Sequence, residues 1–163
     1  MAACDDPAAT VDATTGTVRD SAEQMMYGVR SALTHEGLRR GELTADTALS
    51  LDAATRFELR GIRVLFTSTL GRPLGQLTAR DGTFWLNRAL LETRGTVTVA
   101  SDTSGRNVSG AWIRYDAGAN QLMSDSPFVA TGRGRRLTGV GFTADPGLFT
   151  VKCAKQCSGS LSP

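Results

Sequence analysis

The chain has 163 residues and a formal net charge of +2, with Lys+Arg 18 set against Asp+Glu 16. That length is read as one domain able to bury a core without a metal, and no stretch approaches the roughly 18 consecutive apolar residues of a spanning helix. The arginines are scattered along strand-like segments rather than gathered with stacking aromatics, so nucleic acid is not an expected partner.

In chain order, residues 1–22 come first. From Asp5-Asp6-Pro7 to Asp20 there is neither an aromatic residue nor apolar periodicity, which predicts a flexible tether. Ala2-Ala3-Cys4 resembles the end of a bacterial lipoprotein cleavage site, where small residues precede a cysteine that is lipidated. Cys4 is therefore a candidate lipidation site.

Residues 23–152 read as the folded domain. Leu43-Thr44-Ala45-Asp46, Leu77-Thr78-Ala79-Arg80, Val108-Ser109-Gly110-Ala111 and Leu137-Thr138-Gly139-Val140 recur about every 30 residues, the mark of one supersecondary unit stacked repeatedly. Turn residues at Asp52–Ala54, Leu70–Pro73, Asn87–Ala89, Asp102–Gly105, Asp116–Ala119, Gly132–Gly134 and Asp145–Gly147 separate the strand candidates. The clearest of these are Phe57–Ser68, Leu91–Ala100, Asn107–Tyr115, Gln121–Thr131 and Arg136–Ala144, giving an antiparallel meander of about eight or nine strands. Alternation places Leu91, Val97 and Val99 on one face of their strand, and Leu43, Ala45, Leu49 and Leu51 on one face of theirs. Asp81-Gly82, inside a strand pattern, reads as a bulge.

Residues 153–163 read as a C-terminal tail carrying Cys153 and Cys157. If Cys4 carries lipid, these two remain to pair in an oxidising compartment, which requires a bend near Ala154-Lys155-Gln156; two free thiols are the alternative. Zinc lacks ligands. The single histidine, His35, beside Glu36-Gly37, reads as a turn residue, because no nucleophile lies near it in the sequence. Asn107-Val108-Ser109 fits a glycosylation sequon, a pattern common by chance. Without a nucleophile elbow, phosphate-binding loop or two-histidine motif, no catalytic residue is assigned and an enzyme is not expected.

The repeated Leu-Thr-Ala phrase, Glu58–Phe66, Glu92–Val99, the run from Tyr115-Asp116 to Ser124–Pro127 and the closing Leu137–Phe142 together resemble the LptC family of lipopolysaccharide-export periplasmic proteins, related to LptA and the organic-solvent-tolerance domain. The resemblance covers about residues 25 to 151. It implies an all-β fold, an open antiparallel β-jellyroll or half-pipe whose apolar inner face holds acyl chains, with no cofactor. Candidate groove residues are Leu43, Leu49, Leu59, Leu77, Phe84, Leu91, Val97, Val99, Trp112, Phe128 and Phe142. The same residues would also line an ordinary sealed core.

Implied partners are lipopolysaccharide, an inner-membrane LptB2FG-type ABC transporter and an LptA-like bridge protein. The two proteins would join through unpaired sheet edges near Met25–Thr34 and Leu137–Val151. The implied location is the periplasm, anchored to the inner membrane. Many LptC proteins begin with a membrane helix; here a lipid on Cys4 is the expected substitute, and Asp5 resembles an inner-membrane retention signal. Arg133, Arg135 and Arg136 form a basic cluster that reads as a solvated turn, with lipid phosphates at a groove mouth as the functional alternative. A structural envelope module with a sealed core is the competing function.

Overall fold

A computed structural model describes residues 24–161. Nine strands run in chain order: β1 (Gln24–His35), β2 (Leu38–Leu51), β3 (Arg56–Thr67), β4 (Pro73–Trp85), β5 (Leu90–Ser101), β6 (Arg106–Asp116), β7 (Gln121–Gly132), β8 (Arg135–Ala144) and β9 (Val151–Leu161). Each pairs antiparallel with its neighbours in sequence, so the sheet order is the chain order. Short turns suffice for such a meander. A 3-10 turn, Leu86–Arg88, closed by Ala89 in the left-handed region, links β4 to β5.

The pairing is interrupted near the middle of nearly every strand. Gly28 is skipped in β1, Ala45 and Asp46 in the pairing of β2 with β3, and Gly61 in β3. The register then slips between Thr78 and Asp81, Arg94 and Val97, Gly110 and Arg114, Ser124 and Pro127, and Thr138 and Val140. The bulge expected at Asp81-Gly82 falls just before it, at Ala79-Arg80, while Asp81 and Gly82 pair in register with Arg94 and Thr93. Bulges bend a strand and sharpen its twist. Stacked strand after strand, they crease the whole sheet into two halves whose inner faces meet. Phe66, near the end of β3 in one half, packs on Tyr115, near the end of β6 in the other, with ring centroids 4.7 Å apart.

Two residues show why the crease falls where it does. Gly61 has φ +66°, and a Cβ there would collide with the Asp46 side chain of β2. Gly95 has φ +82°, with the Arg80 side chain 3.0 Å from where its Cβ would stand. Only glycine meets both demands without strain.

Several strands gain one residue at the crease, which moves the inward set to the opposite parity. In β2 the inward residues are Leu43 and Ala45 before it and Ala48 and Ser50 after it. Leu49 and Leu51, expected on the inner face, therefore lie on the outer one. The same flip in β6 sends Ile113 and Tyr115 inward and Trp112 outward, against expectation. On the outer face the Arg114 guanidinium lies 5.8 Å from the Trp112 ring and donates to Glu92 Oε2 at 2.6 Å. In β5 the insertion is two residues, Gly95 and Thr96, so Leu91, Val97 and Val99 share the inner face as expected.

The segment expected as a tail, residues 153–163, supplies most of a ninth strand instead. The strand pairs with β8 from Val151 opposite Ala144 to Leu161 opposite Arg135. Its apolar residues are few, and backbone pairing is what holds it. The tether expected over residues 1–22, with Cys4, lies outside the described residues.

Tyr115 is 1 % exposed, and its hydroxyl donates to Asn120 Oδ1 at 2.8 Å. Burial pushes its phenol well above the usual value, with Asp116 adding to the rise and Arg40 opposing it. The folded protein thus keeps a proton that the unfolded chain releases near pH 10, so this contribution to stability is complete below about pH 10 and falls as pH rises beyond it. Denaturant unfolding between pH 8 and 11 is expected to show that fall. Tyr115→Phe should flatten it, at a cost of about 1 kcal/mol at neutral pH from the lost hydrogen bond. An unchanged alkaline slope in the variant would count against the assignment.

Candidate functional site

The inner faces of the two half-sheets are continuous apolar surfaces. In one half a single rung runs from Leu43 through Val64, Leu77, Val99, Val108 and Ala130 to Leu137. In the other, a rung runs from Phe57 through Phe84, Leu91, Tyr115, Leu122 and Ala144 to Val151. Near-constant repeat length in the sequence produces this alignment: each unit places its apolar residues opposite those of the next.

Nine of the candidate groove residues face this interior: Leu43, Leu59, Leu77, Phe84, Leu91, Val97, Val99, Phe128 and Phe142, each 6 % exposed or less. Leu49, opposite Glu58, and Trp112, opposite Arg94, do not. Phe128 and Phe142 pack on one another with centroids 4.9 Å apart. Sequence reasoning missed Val64, Phe66, Val108, Ile113, Tyr115 and Leu122, all of which are buried inward. Alternation within β3, β6 and β7 could have found them had the crease been allowed for.

Of the buried polar side chains, Thr93 and Ser101 turn their hydroxyls to the backbone, Tyr115 and Ser124 bond to neighbouring side chains, and Arg40 Nε, Thr67 Oγ1 and Ser104 Oγ have no partner among the described residues. Thr93 Oγ1 donates to Ile113 O at 2.7 Å, and Ser101 Oγ donates to Leu74 O at 2.6 Å. The interior lining is nonetheless mostly hydrocarbon.

The β8–β9 connection closes part of this space. Asp145 accepts from the backbone N–H groups of Gly147, Phe149 and Thr150, forming a compact loop. That loop inserts Leu148, fully buried, into the core. Arg106 Nη1 donates to Leu148 O at 3.2 Å and Phe149 O at 2.8 Å, tying the loop to β6. The Asp145–Gly147 turn is visible in the sequence; the burial of the leucine after it is not.

Beside the loop, a cavity of about 920 Å³ lies at the ends of β7, β8 and β9. Arg133, Arg135 and Arg136 all line it.

Among the described residues the sheet has two unpaired edges. β1 forms the first, where expected. The second is β9, not the Leu137–Val151 segment, because the added strand covers β8. Cys153 and Cys157 are joined by a disulfide within β9, their Cα atoms 6.0 Å apart. Gln156 between them has φ +51°, and the register slips there against β8. The bend thus brings the two sulfurs together on an otherwise extended strand.

The fold is that of an LptA-type β-jellyroll. A crystal structure of LptH, the LptA-homologous periplasmic component of the lipopolysaccharide transport device from Pseudomonas aeruginosa, superposes with a TM-score of 0.55 over 89 % of this chain and 98 % of that chain, at 11 % sequence identity. No protein-family model matches the sequence, and no curated protein matches it.

Closing a loop this short stabilises by about 2 kcal/mol in the chain-entropy description. Cys153→Ala/Cys157→Ala is expected to lose about that much or less, with faster amide exchange confined to β9. Loss of protection at Val64 and Val99 as well would mean that the disulfide supports the whole sheet.

Proposed function

We propose that this chain is a lipopolysaccharide-binding component of a transenvelope export bridge, sheltering acyl chains between the two half-sheets and passing them on through its edges. The observation carrying this reading is the creased nine-strand meander itself, lined with hydrocarbon from both halves and sharing its fold with LptH over nearly the whole of that chain. Each methylene taken out of water contributes about 0.8 kcal/mol, so such a lining holds a lipid tail with no ionic contact and no catalytic group. The interior is closely packed, and loading requires the halves to part, beginning at the β7–β9 end where the cavity lies.

The LptC place in the bridge is the finer part of the proposal. There, β1 would face an inner-membrane LptB2FG-type ABC transporter and β9 an LptA-like bridge protein, each by strand addition. The location would be the periplasm, with a lipid on Cys4 as the inner-membrane anchor. The diffuse LptC-like phrases in the sequence support this placement; the LptH likeness supports the bridge in general.

One observation favours a second reading, a sealed-core assembly module: Val64, Leu77, Leu91, Val97, Val99 and Val108 have no exposure at all. In-cell photocrosslinking separates the two. Adducts with lipopolysaccharide are expected from Phe84 and Phe128 and not from the outward Thr98 and Trp112. Protein adducts are expected from Val29 on β1 and Ser158 on β9. Protein adducts without any lipid adduct would establish the module, and neither kind would remove both readings.

A further inference from the structure

Two successive inward rungs at the β7–β9 end differ sharply in chemistry. The outer rung runs Arg106, Gly132, Arg135, Leu161, with two arginines flanking a glycine. The next rung in, Val108, Ala130, Leu137, Gly159, carries no polar side chain. Inward rungs are about 7 Å apart, so a charged rim stands directly above an apolar floor. Gly159 leaves that floor uncovered on the β9 side, since a Cβ there would meet nothing nearer than Arg136 O at 3.8 Å.

The charge at this rim is unbalanced. Arg106, Arg133, Arg135 and Arg136 all line the cavity, and no aspartate or glutamate does. Elsewhere among the described residues, Arg30, Arg39, Arg56, Arg60, Arg80, Arg94 and Arg114 each lie within ion-pair distance of a carboxylate, while Arg40, Arg63, Arg72 and Arg88 stand scattered and unpaired. Among the described residues none of the four rim arginines lies within ion-pair distance of a carboxylate. Arg106 and Arg133 are held by backbone carbonyls, the latter donating from Nε to Ser104 O at 3.0 Å. The side chains of Arg135 and Arg136 have no hydrogen-bond acceptor among the described residues, which leaves their planar forks for an oxyanion.

We propose that this rim is a phosphate-binding mouth for an amphiphile. A phosphate monoester on the lipid's headgroup engages Arg135 of the inward rung and Arg136, which lines the cavity from the neighbouring rung, while an acyl chain enters over Ala130 and Leu137. The proposal rests on the lipid-binding reading above and names the group by which the mouth recognises its cargo.

Calorimetric titration tests it with three probes: lipid A bearing its phosphates, lipid A stripped of them by phosphatase, and inorganic phosphate. The intact chain is expected to prefer phosphorylated lipid A by about tenfold or more, the worth of one or two charge-assisted contacts. Arg135→Ala/Arg136→Ala should erase that preference, so that the phosphorylated and stripped lipids bind alike, and Arg135→Lys/Arg136→Lys should restore part of it. Equal binding of both lipids by the intact chain overturns the mouth and leaves the bridge role standing. Inorganic phosphate binding as tightly as phosphorylated lipid A assigns the rim to a soluble phosphate and overturns the lipid assignment. Binding of neither lipid overturns both readings. Salt titration of the intact chain's preference keeps the question open to refutation should the double variant misfold, since a preference insensitive to ionic strength contradicts an arginine rim.

Discussion

The structure depends on a crease. A flat nine-strand meander would expose one apolar face over its whole length, and a continuous alternation would supply no means of covering it. The interruption carried across the sheet from Gly28 to the Cys153–Cys157 bend folds each strand at its middle and sets the two inner faces against one another. Burial of Phe66 against Tyr115 is a direct consequence, and so is the flip of side-chain parity along β2, β3, β6 and β8. Left-handed glycines make the crease inexpensive where it is tightest.

This organisation separates two kinds of surface. Outside lie ion pairs that bridge neighbouring strands, such as Glu92 with Arg114 and Glu58 with Arg94, exposed enough to contribute little to stability. Inside lies mostly hydrocarbon, with the hydroxyls of Thr93 and Ser101 turned to the backbone and that of Tyr115 to Asn120. Between the two, at the edges and at the β7–β9 mouth, backbone groups and arginines remain available to other molecules. In the proposed role, partners would be recognised along β1 and β9 by main-chain hydrogen bonds, and cargo by apolar burial, without one task disturbing the other.

Much of this was legible in the chain. Turn residues delimited β3, β5, β6, β7 and β8 to within a residue or two, because Gly, Pro, Asn and Asp punctuate a meander strongly. Strand parity beyond the crease was not legible. Leu49 was expected inward by carrying a two-residue period through a point where β2 gains a residue, and Trp112 was a groove candidate from the family resemblance; nothing in Thr44–Thr47 or Gly110–Arg114 marks the gain in β2 or β6 locally. β9 was missed for a different reason. Val151–Leu161 has little apolar alternation and owes its strand conformation to pairing with β8, a tertiary effect that overrides local propensity. The cysteine pair did mark the bend in it, since two bonded cysteines four residues apart demand one.

The central claim is that acyl chains occupy the space between the half-sheets, and methyl NMR on the full chain tests it most directly. With lipopolysaccharide added, intermolecular NOEs are predicted from acyl methylenes to the methyls of Leu77, Val97 and Val99, and not to those of the outward Leu65 and Leu70. Bound lipid that touches only Leu65 or Leu70, with the inner methyls unperturbed at saturation, would contradict the account.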